Sequence, residues 1–213
     1  IGHLLSGVLH DLKTPMTVIS GYVQLMVQAD EESLRKNYAS TVLKQFEYIG
    51  TMTAEILAFA RGDSKILVRR VYIHQFIEEI GEHLRKELEP RGVSVEIVMN
   101  YRGTARFDEG KMRRVFYNIA RNAAEAMPDG GTYTIVVSQE GEALIFQFSD
   151  TGHGIPEEIK TKLFESFSTA GKKGGTGLGL AVVKKIIDEH EGQITFTSEE
   201  HQGTTFTITL PLG

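Results

Sequence analysis

Apolar residues recur every three to four positions through the first sixty residues and at alternate positions through much of the rest. Leu5, Val8, Leu12, Pro15, Ile19, Tyr22 and Met26 form one helical stripe, with Leu9, Met16 and Val23 in a second row beside it. Tyr38, Val42, Gln45, Ile49, Met52, Ile56 and Phe59 repeat the stripe, and the polar run 29–33 between the two marks a turn. At ~1.5 Å per residue each helix is about 40 Å long. A lone hairpin cannot cover so wide an apolar surface. Two hairpins paired as a four-helix bundle can, so the pattern predicts a homodimer.

After Arg61-Gly-Asp-Ser64 the pattern changes. Helical spacing over 74–88 precedes an alternating strand at 93–97. A helix follows at 108–127, with Met112, Val115, Phe116, Ile119 and Ala123 as its stripe. Strand-like runs at 132–138 and 143–149 lead into a loop rich in Gly, Ser and Lys. Then come a helix at 178–190 and closing strands at 193–198 and 204–210. This order predicts an α+β chain: a helical hairpin, then a two-layer α/β sandwich with a mostly antiparallel sheet covered on one face. The expected boundaries are a hairpin domain at 1–64, a linker at 65–72 and the sandwich at 73–213. There is no internal repeat and no low-complexity tract.

Composition narrows the function classes. Of 213 residues, 41% are hydrophobic and 24% charged, as in a folded chain rather than a disordered one. The net charge of −5 argues against nucleic acid or an anionic membrane surface as the main partner. The lack of cysteine excludes disulfide frameworks, thiolate catalysis and cysteine-ligated zinc. No apolar run approaches the ~18 residues of a membrane span. Residue 1 is Ile and the opening reads as mid-helix. The expectation is a cytoplasmic fragment of a longer protein, with any membrane anchor belonging to the absent N-terminal region.

Four short constellations carry candidate chemistry. With Leu5 at heptad position a, His10 falls at f, facing away from the core. Alone it reads as a solvated surface histidine, but Asp11 follows it, Lys13 and Thr14 lie one turn on, and Pro15 sits inside the helix. Pro15 lacks an N–H and crowds the carbonyl of Asp11, so a bend is expected just beyond His10. An exposed imidazole beside a carboxylate can present Nε2 as a nucleophile. Asn118 and Asn122, four apart on one side of a helix, offer two amides to a metal or a phosphate, or else are merely solvated. Asp150-Thr-Gly152-His-Gly154 ends a strand with a carboxylate able to accept from an exocyclic amine, next to glycines that allow close backbone approach. It reads equally as a Gly-rich turn. Gly174-Gly-Thr-Gly-Leu-Gly-Leu180 opens a helix, where backbone N–H groups favour phosphate. It has no P-loop lysine and hydroxyl, and follows a loop rather than a strand, so the dinucleotide fingerprint does not apply.

Together, in this order, the constellations resemble the catalytic core of bacterial sensor histidine kinases over nearly the whole chain. His10-Asp-Leu-Lys-Thr-Pro15 resembles the phosphoacceptor box, and Asn118-Ile-Ala-Arg-Asn122 the N box. Asp150-Thr-Gly-His-Gly154 resembles the G1 box, Phe164-Glu-Ser-Phe167 the F box, Gly175-Thr-Gly-Leu-Gly179 the G2 box, and Gly203-Thr-Thr-Phe206 a G3-like turn. The sporulation kinases of spore-forming bacilli have a similar flavour. Asp11 stands where the family more often has Glu, and the shorter acid keeps the role.

The resemblance implies an ATP-binding fold of the GHKL type that phosphorylates His10, with Asp11 orienting the imidazole and taking its proton. It implies Asp150 on the adenine amine, with Gly152 and Gly154 beside it, Asn122 on Mg²⁺, and Asn118 near the phosphates. Thr176, Gly177, Leu178, Gly179 and Lys173 would complete the nucleotide site, within or beside a mobile lid at roughly 153–176. Lys172, Phe164 and Phe167 fall in that lid, and the two phenylalanines read equally as core residues. Thr14 is implied in hydrolysis of the partner's aspartyl phosphate. The implied partners are a second copy, a response-regulator receiver domain and an inhibitor protein docking on the bundle, with no nucleic acid. The other histidines, His3, His74, His83, His153, His190 and His201, show no ligand spacing.

Two rivals share parts of this pattern. Gyrase- and chaperone-like ATP clamps resemble ExxxN at the N box, where the acid activates water. Here Asn118 holds that position, which favours transfer over hydrolysis. The string His-Asp-Leu-Lys suggests a Ser/Thr kinase, but it lies at residue 10 with no ATP lobe before it, and Met16 stands where the Asn is needed.

Overall fold

The computed structural model describes residues 2–60, 66–165 and 177–213, with backbone alone for 2–11, 47–48, 51–52 and 54–60. The chain divides into two compact units, a helical hairpin and an α/β unit. None of the described helices is long and apolar enough to cross a membrane.

In the hairpin, α1 (Gly2–Gln28) continues through Pro15, and α2 (Glu32–Ala60) follows a three-residue break where the polar run predicted the turn. Pro15 is buried, and the rings of Tyr22 and Tyr38 meet at 5.6 Å across the two helices. The described residues of the second row stay open: Met16 is 58% exposed and Val23 45%. Leu43 and Phe46 of α2 are exposed as well.

In the α/β unit, β2 (Val93–Met99), β4 (Gly131–Glu140), β5 (Ala143–Asp150), β7 (Gly203–Pro211) and β6 (Gln193–Glu199) form one sheet in that order. The β2–β4 pair is parallel and the others antiparallel. Alternation sends Ile135, Phe148, Phe206 and Phe196 along one rung of the inner face, and Val137, Phe146, Ile208 and Ile194 along the next. Helices α3 (Ile73–Leu88), α4 (Glu109–Ala126) and α6 (Gly179–Glu189) also bury their apolar stripes. Phe116 of α4 sets its edge on Phe148 at 4.8 Å and on Phe146 at 5.1 Å, and Phe76 of α3 joins it at 5.4 Å. The outer face is rich in threonine and serine, as in the Ser149–Thr205 hydroxyl pair at 2.8 Å.

Two features depart from the expected elements. A two-stranded ribbon of β1 (Arg69–Tyr72) and β3 (Thr104–Phe107) takes residues from the expected linker 65–72. Within the expected lid 153–176, a short helix α5 (Glu157–Lys160) is described, and its surroundings are tied to β6. Ile155 N–H donates to Ser198 Oγ at 2.8 Å, and Lys160 Nζ donates to the Ser198 carbonyl at 2.9 Å. Phe164 packs on Phe196 at 5.9 Å, so it serves the core on this side.

Candidate functional site

Helix α4 supplies the two asparagines. Asp108 starts it: Oδ1 accepts from the N–H of Lys111 at 3.0 Å, and Oδ2 from the N–H of Leu67 at 2.9 Å. Met112, Val115, Phe116, Ile119, Ala120 and Ala123 bury one face. Asn118 and Asn122 therefore fall on its flank, both half-buried. Gly179, the first residue of α6, lies against that flank: a β-carbon there would stand 3.5 Å from Asn118 Oδ1 and 3.5 Å from Arg121 Nη2. The start of α6, where backbone N–H groups are unsatisfied within the helix, thus meets an amide and a guanidinium. Arg121 does not stand out in the sequence, because a cation inside a motif defined by its asparagines carries no spacing signal of its own.

Asp150 closes β5, opposite Tyr133 of β4 on one side and Thr204 of β7 on the other. Its Oδ1 accepts from the N–H of Gly152 at 2.9 Å, which fixes the carboxylate. The next turn is fastened to three elements. Thr151 exchanges hydrogen bonds with Thr132 of β4, through its N–H to the Thr132 carbonyl and its Oγ1 from the Thr132 N–H. His153 N–H donates to the Ala126 carbonyl at 3.1 Å, and the His153 carbonyl accepts from His201 at 2.8 Å. Gly152 is required here, since a β-carbon would lie 2.7 Å from Ala126 Cβ and from its carbonyl oxygen. Gly154 has φ of +72°, and a β-carbon would strike the Glu199 carbonyl. The close approach that these glycines permit in the structure is thus to α4 and to the β6–β7 turn.

Asn118, Asn122, Asp150, Gly152, Gly154 and Gly179 are thereby held by α4, the end of β5 and the start of α6 in one unit. Gly177 precedes α6 with φ of +63°, and Leu178 is buried. His10 and Asp11 lie on the backbone of α1, without described side chains, and Thr14 is exposed one turn further on. Lys172, Lys173, Thr176 and Phe167 fall outside the described residues.

Residues 107–213 match the family model described as histidine kinase-, DNA gyrase B- and HSP90-like ATPase, and residues 1–65 match the His Kinase A (phospho-acceptor) domain. This chain belongs to the histidine kinase family. It is similar to sporulation kinase A of Bacillus subtilis, 30% identical over 213 residues that cover 99% of this chain and 34% of that protein. It is likewise similar to the histidine kinase AtoS of Escherichia coli, 30% identical over 100% of this chain and 35% of that protein. The chain thus spans about a third of the length of these curated relatives. Among solved structures, the histidine kinase AdeS of Acinetobacter baumannii superposes with a TM-score of 0.72 at 22% identity, covering 96% of this chain and 98% of that one. The kinase ThkA in complex with the response regulator TrrA gives 0.84 at 24% identity, covering 100% of this chain and 62% of that one. At those identities the likeness is one of fold.

Proposed function

We propose that this histidine kinase core binds ATP through residues 73–213 and transfers the γ-phosphoryl group to Nε2 of His10 in the hairpin 1–64. The observation that carries the reading is that Asn118, Asn122, Asp150 and Gly179 are assembled on three elements of one unit, whereas His10 belongs to a helix of the other. The hydrogen bond from Gly152 orients the Asp150 carboxylate, which accepts the adenine amine. Asn118, Arg121 and the first N–H groups of α6 hold phosphate oxygens. Amide oxygen suits Mg²⁺, which commonly takes few protein ligands beside nucleotide phosphates, so Asn122 fits as its protein ligand. Bound there, Mg²⁺ supplies neutralisation of phosphate charge. Asp11 orients the imidazole of His10 and takes its Nδ1 proton as the bond from Nε2 to phosphorus forms and the bond to ADP breaks.

The phosphoryl group then passes to a carboxylate on a receiver domain docking on the bundle near His10. The complex of ThkA with the response regulator TrrA supports that class of partner. The apolar row left open on the hairpin supports a homodimer, and a bundle so exposed also offers a surface to an inhibitor protein. Incubation with γ-labelled ATP and Mg²⁺ tests the reading. Label that survives alkali but not acid, and is lost in His10→Gln, is expected. Undiminished label in that variant would overturn it.

A further inference from the structure

The alternation of β4 places Tyr133, Ile135 and Val137 on the helix-covered face. Two of these are hydrocarbon, but Tyr133 carries a hydroxyl into the same layer and is 1% exposed. Among the described residues, that hydroxyl is the buried side-chain polar atom with no hydrogen-bond partner. Buried polar groups are nearly always paired, so an orphan needs an explanation in a water or a ligand.

Its neighbours along the rung indicate which. Val95 of β2 lies on one side and Asp150 of β5 on the other, followed by Thr204 of β7 and Ser198 of β6. The far end is internally satisfied: Ser198 Oγ and Thr204 Oγ1 are 3.0 Å apart, and Ser198 also donates to the Gly203 carbonyl. Tyr133 is therefore an unpaired group beside the carboxylate assigned to the base. Burial, and then the negative charge of Asp150, push the phenol well above its usual range, so it remains an O–H donor at neutral pH.

We propose that Tyr133 is a base-recognition residue whose hydroxyl donates, directly or through one buried water, to the ring nitrogen adjoining the exocyclic amine accepted by Asp150. The inference rests on the reading of Asp150 as the amine acceptor. Carboxylate and phenol then form an acceptor–donor pair that matches the donor–acceptor edge of adenine. Guanine presents a carbonyl and a protonated ring nitrogen at these positions, which places an oxygen against the carboxylate and a donor against the O–H. Alternation along β4 concealed this role, because a tyrosine among alternating apolar residues looks like core.

The test uses Tyr133→Phe and Asp150→Asn with three nucleotides: ATP, the triphosphate of 1-deazaadenosine, which lacks the ring nitrogen, and that of purine riboside, which lacks the amine. Tyr133→Phe should weaken ATP about five- to tenfold, the scale of one hydrogen bond. It should leave the 1-deaza analogue unchanged, and melting without nucleotide should be equal or higher. Equal losses for ATP and the 1-deaza analogue, or no loss for either, would overturn the proposal. Asp150→Asn should weaken ATP but scarcely affect the purine riboside nucleotide. If instead it binds ATP normally, the assignment of Asp150 fails, and the Tyr133 proposal with it. A Tyr133→Phe loss confined to ATP supports the phenol contact itself, and its absence with a normal Asp150→Asn loss counts against Tyr133 alone.

Discussion

The backbone N–H of Asp108 donates to Nε2 of His190 at 3.0 Å, while Nδ1 of the same ring donates to the Ile186 carbonyl at 2.7 Å. This seats the ring between the start of α4 and the end of α6, the helices that carry the asparagines and Gly179. The nearby Lys111–Glu189 pair at 2.7 Å reinforces the joint. His190→Ala leaves the Asp108 N–H without its acceptor and opens space in the core, so it should cost about 1–3 kcal/mol in urea unfolding. His190→Gln, which offers an amide oxygen, should cost less. Equal losses in the two variants would remove the hydrogen bond from the explanation.

Asp108 links the same joint to pH. Burial works against its charge. The N–H groups of Lys111 and Leu67, and the charge of Lys111, outweigh that and hold the carboxyl below its usual value. A depressed folded value means that the charge stabilises above the unfolded value, about 3.9, and that this is lost as pH falls through the folded one. Asn still caps a helix but has no charge, so Asp108→Asn should cost about 0.3–1 kcal/mol at neutral pH. The gap between wild type and variant should stay level above about pH 5 and close below it. Denaturant titrations across pH 2–7 measure this, and a gap that widens in acid contradicts it.

The open row on α1 gives a direct test of assembly. A carboxylate at Met16 or Val23 would have to be desolvated against apolar side chains of the partner hairpin. The double variant Met16→Asp, Val23→Asp should raise the dimer dissociation constant at least about a hundredfold. Light scattering over a dilution series reads this. A dimer unchanged by both substitutions means that these residues do not lie in the interface.

These residues also mark what the sequence made legible. The two rows on α1 were visible because a helix repeats its faces every few residues, and in the structure Pro15 is buried, Leu12, Ile19, Tyr22 and Met26 are half-buried, and Met16 and Val23 of the other row are open. Asn118 and Asn122 were visible for the same reason, being four residues apart. The ribbon of β1 and β3 was not. Each strand has four residues, and among them Val71, Ala105 and Phe107 are the buried ones, too few to establish alternation. The anchoring of residues 155–160 was hidden as well, because Ser198, which holds them, is 38 to 43 positions away. Tyr133 and His190 were missed because their significance lies in a hydroxyl that lacks a partner and a ring that has two.

Asn122 and Asp150 should fail in different ways. Asn122→Ala removes the amide assigned to Mg²⁺, so nucleotide affinity should lose most of its Mg²⁺ dependence while adenosine competes as before. Asp150→Asn should weaken adenosine and ATP alike, by about tenfold or more, since an amide presents a donor where the amine needs an acceptor. Calorimetric titration with and without Mg²⁺ separates the two, and normal binding by both variants would put the nucleotide elsewhere.

Thr14 tests the reverse reaction. It is exposed and follows His10 by four residues on a continuous helix, so its hydroxyl lies about one turn along the same face. A receiver domain docked for transfer brings its phosphorylated carboxylate close to Nε2 of His10. A hydroxyl one turn away can then hold the water that attacks this phosphorus, whereas formation of phosphohistidine has no need of it. Thr14→Ala should accordingly leave labelling of His10 within about twofold and slow receiver dephosphorylation about tenfold or more, the range of a single positioned group. The measurement is decay of a purified phosphorylated receiver with the kinase and ADP present, with His10 labelling followed in parallel. Equal decay with wild type and variant makes Thr14 a bystander. Loss of both activities together would instead mean that the substitution disturbs the helix next to Pro15, because a water-positioning role predicts the separation of the two.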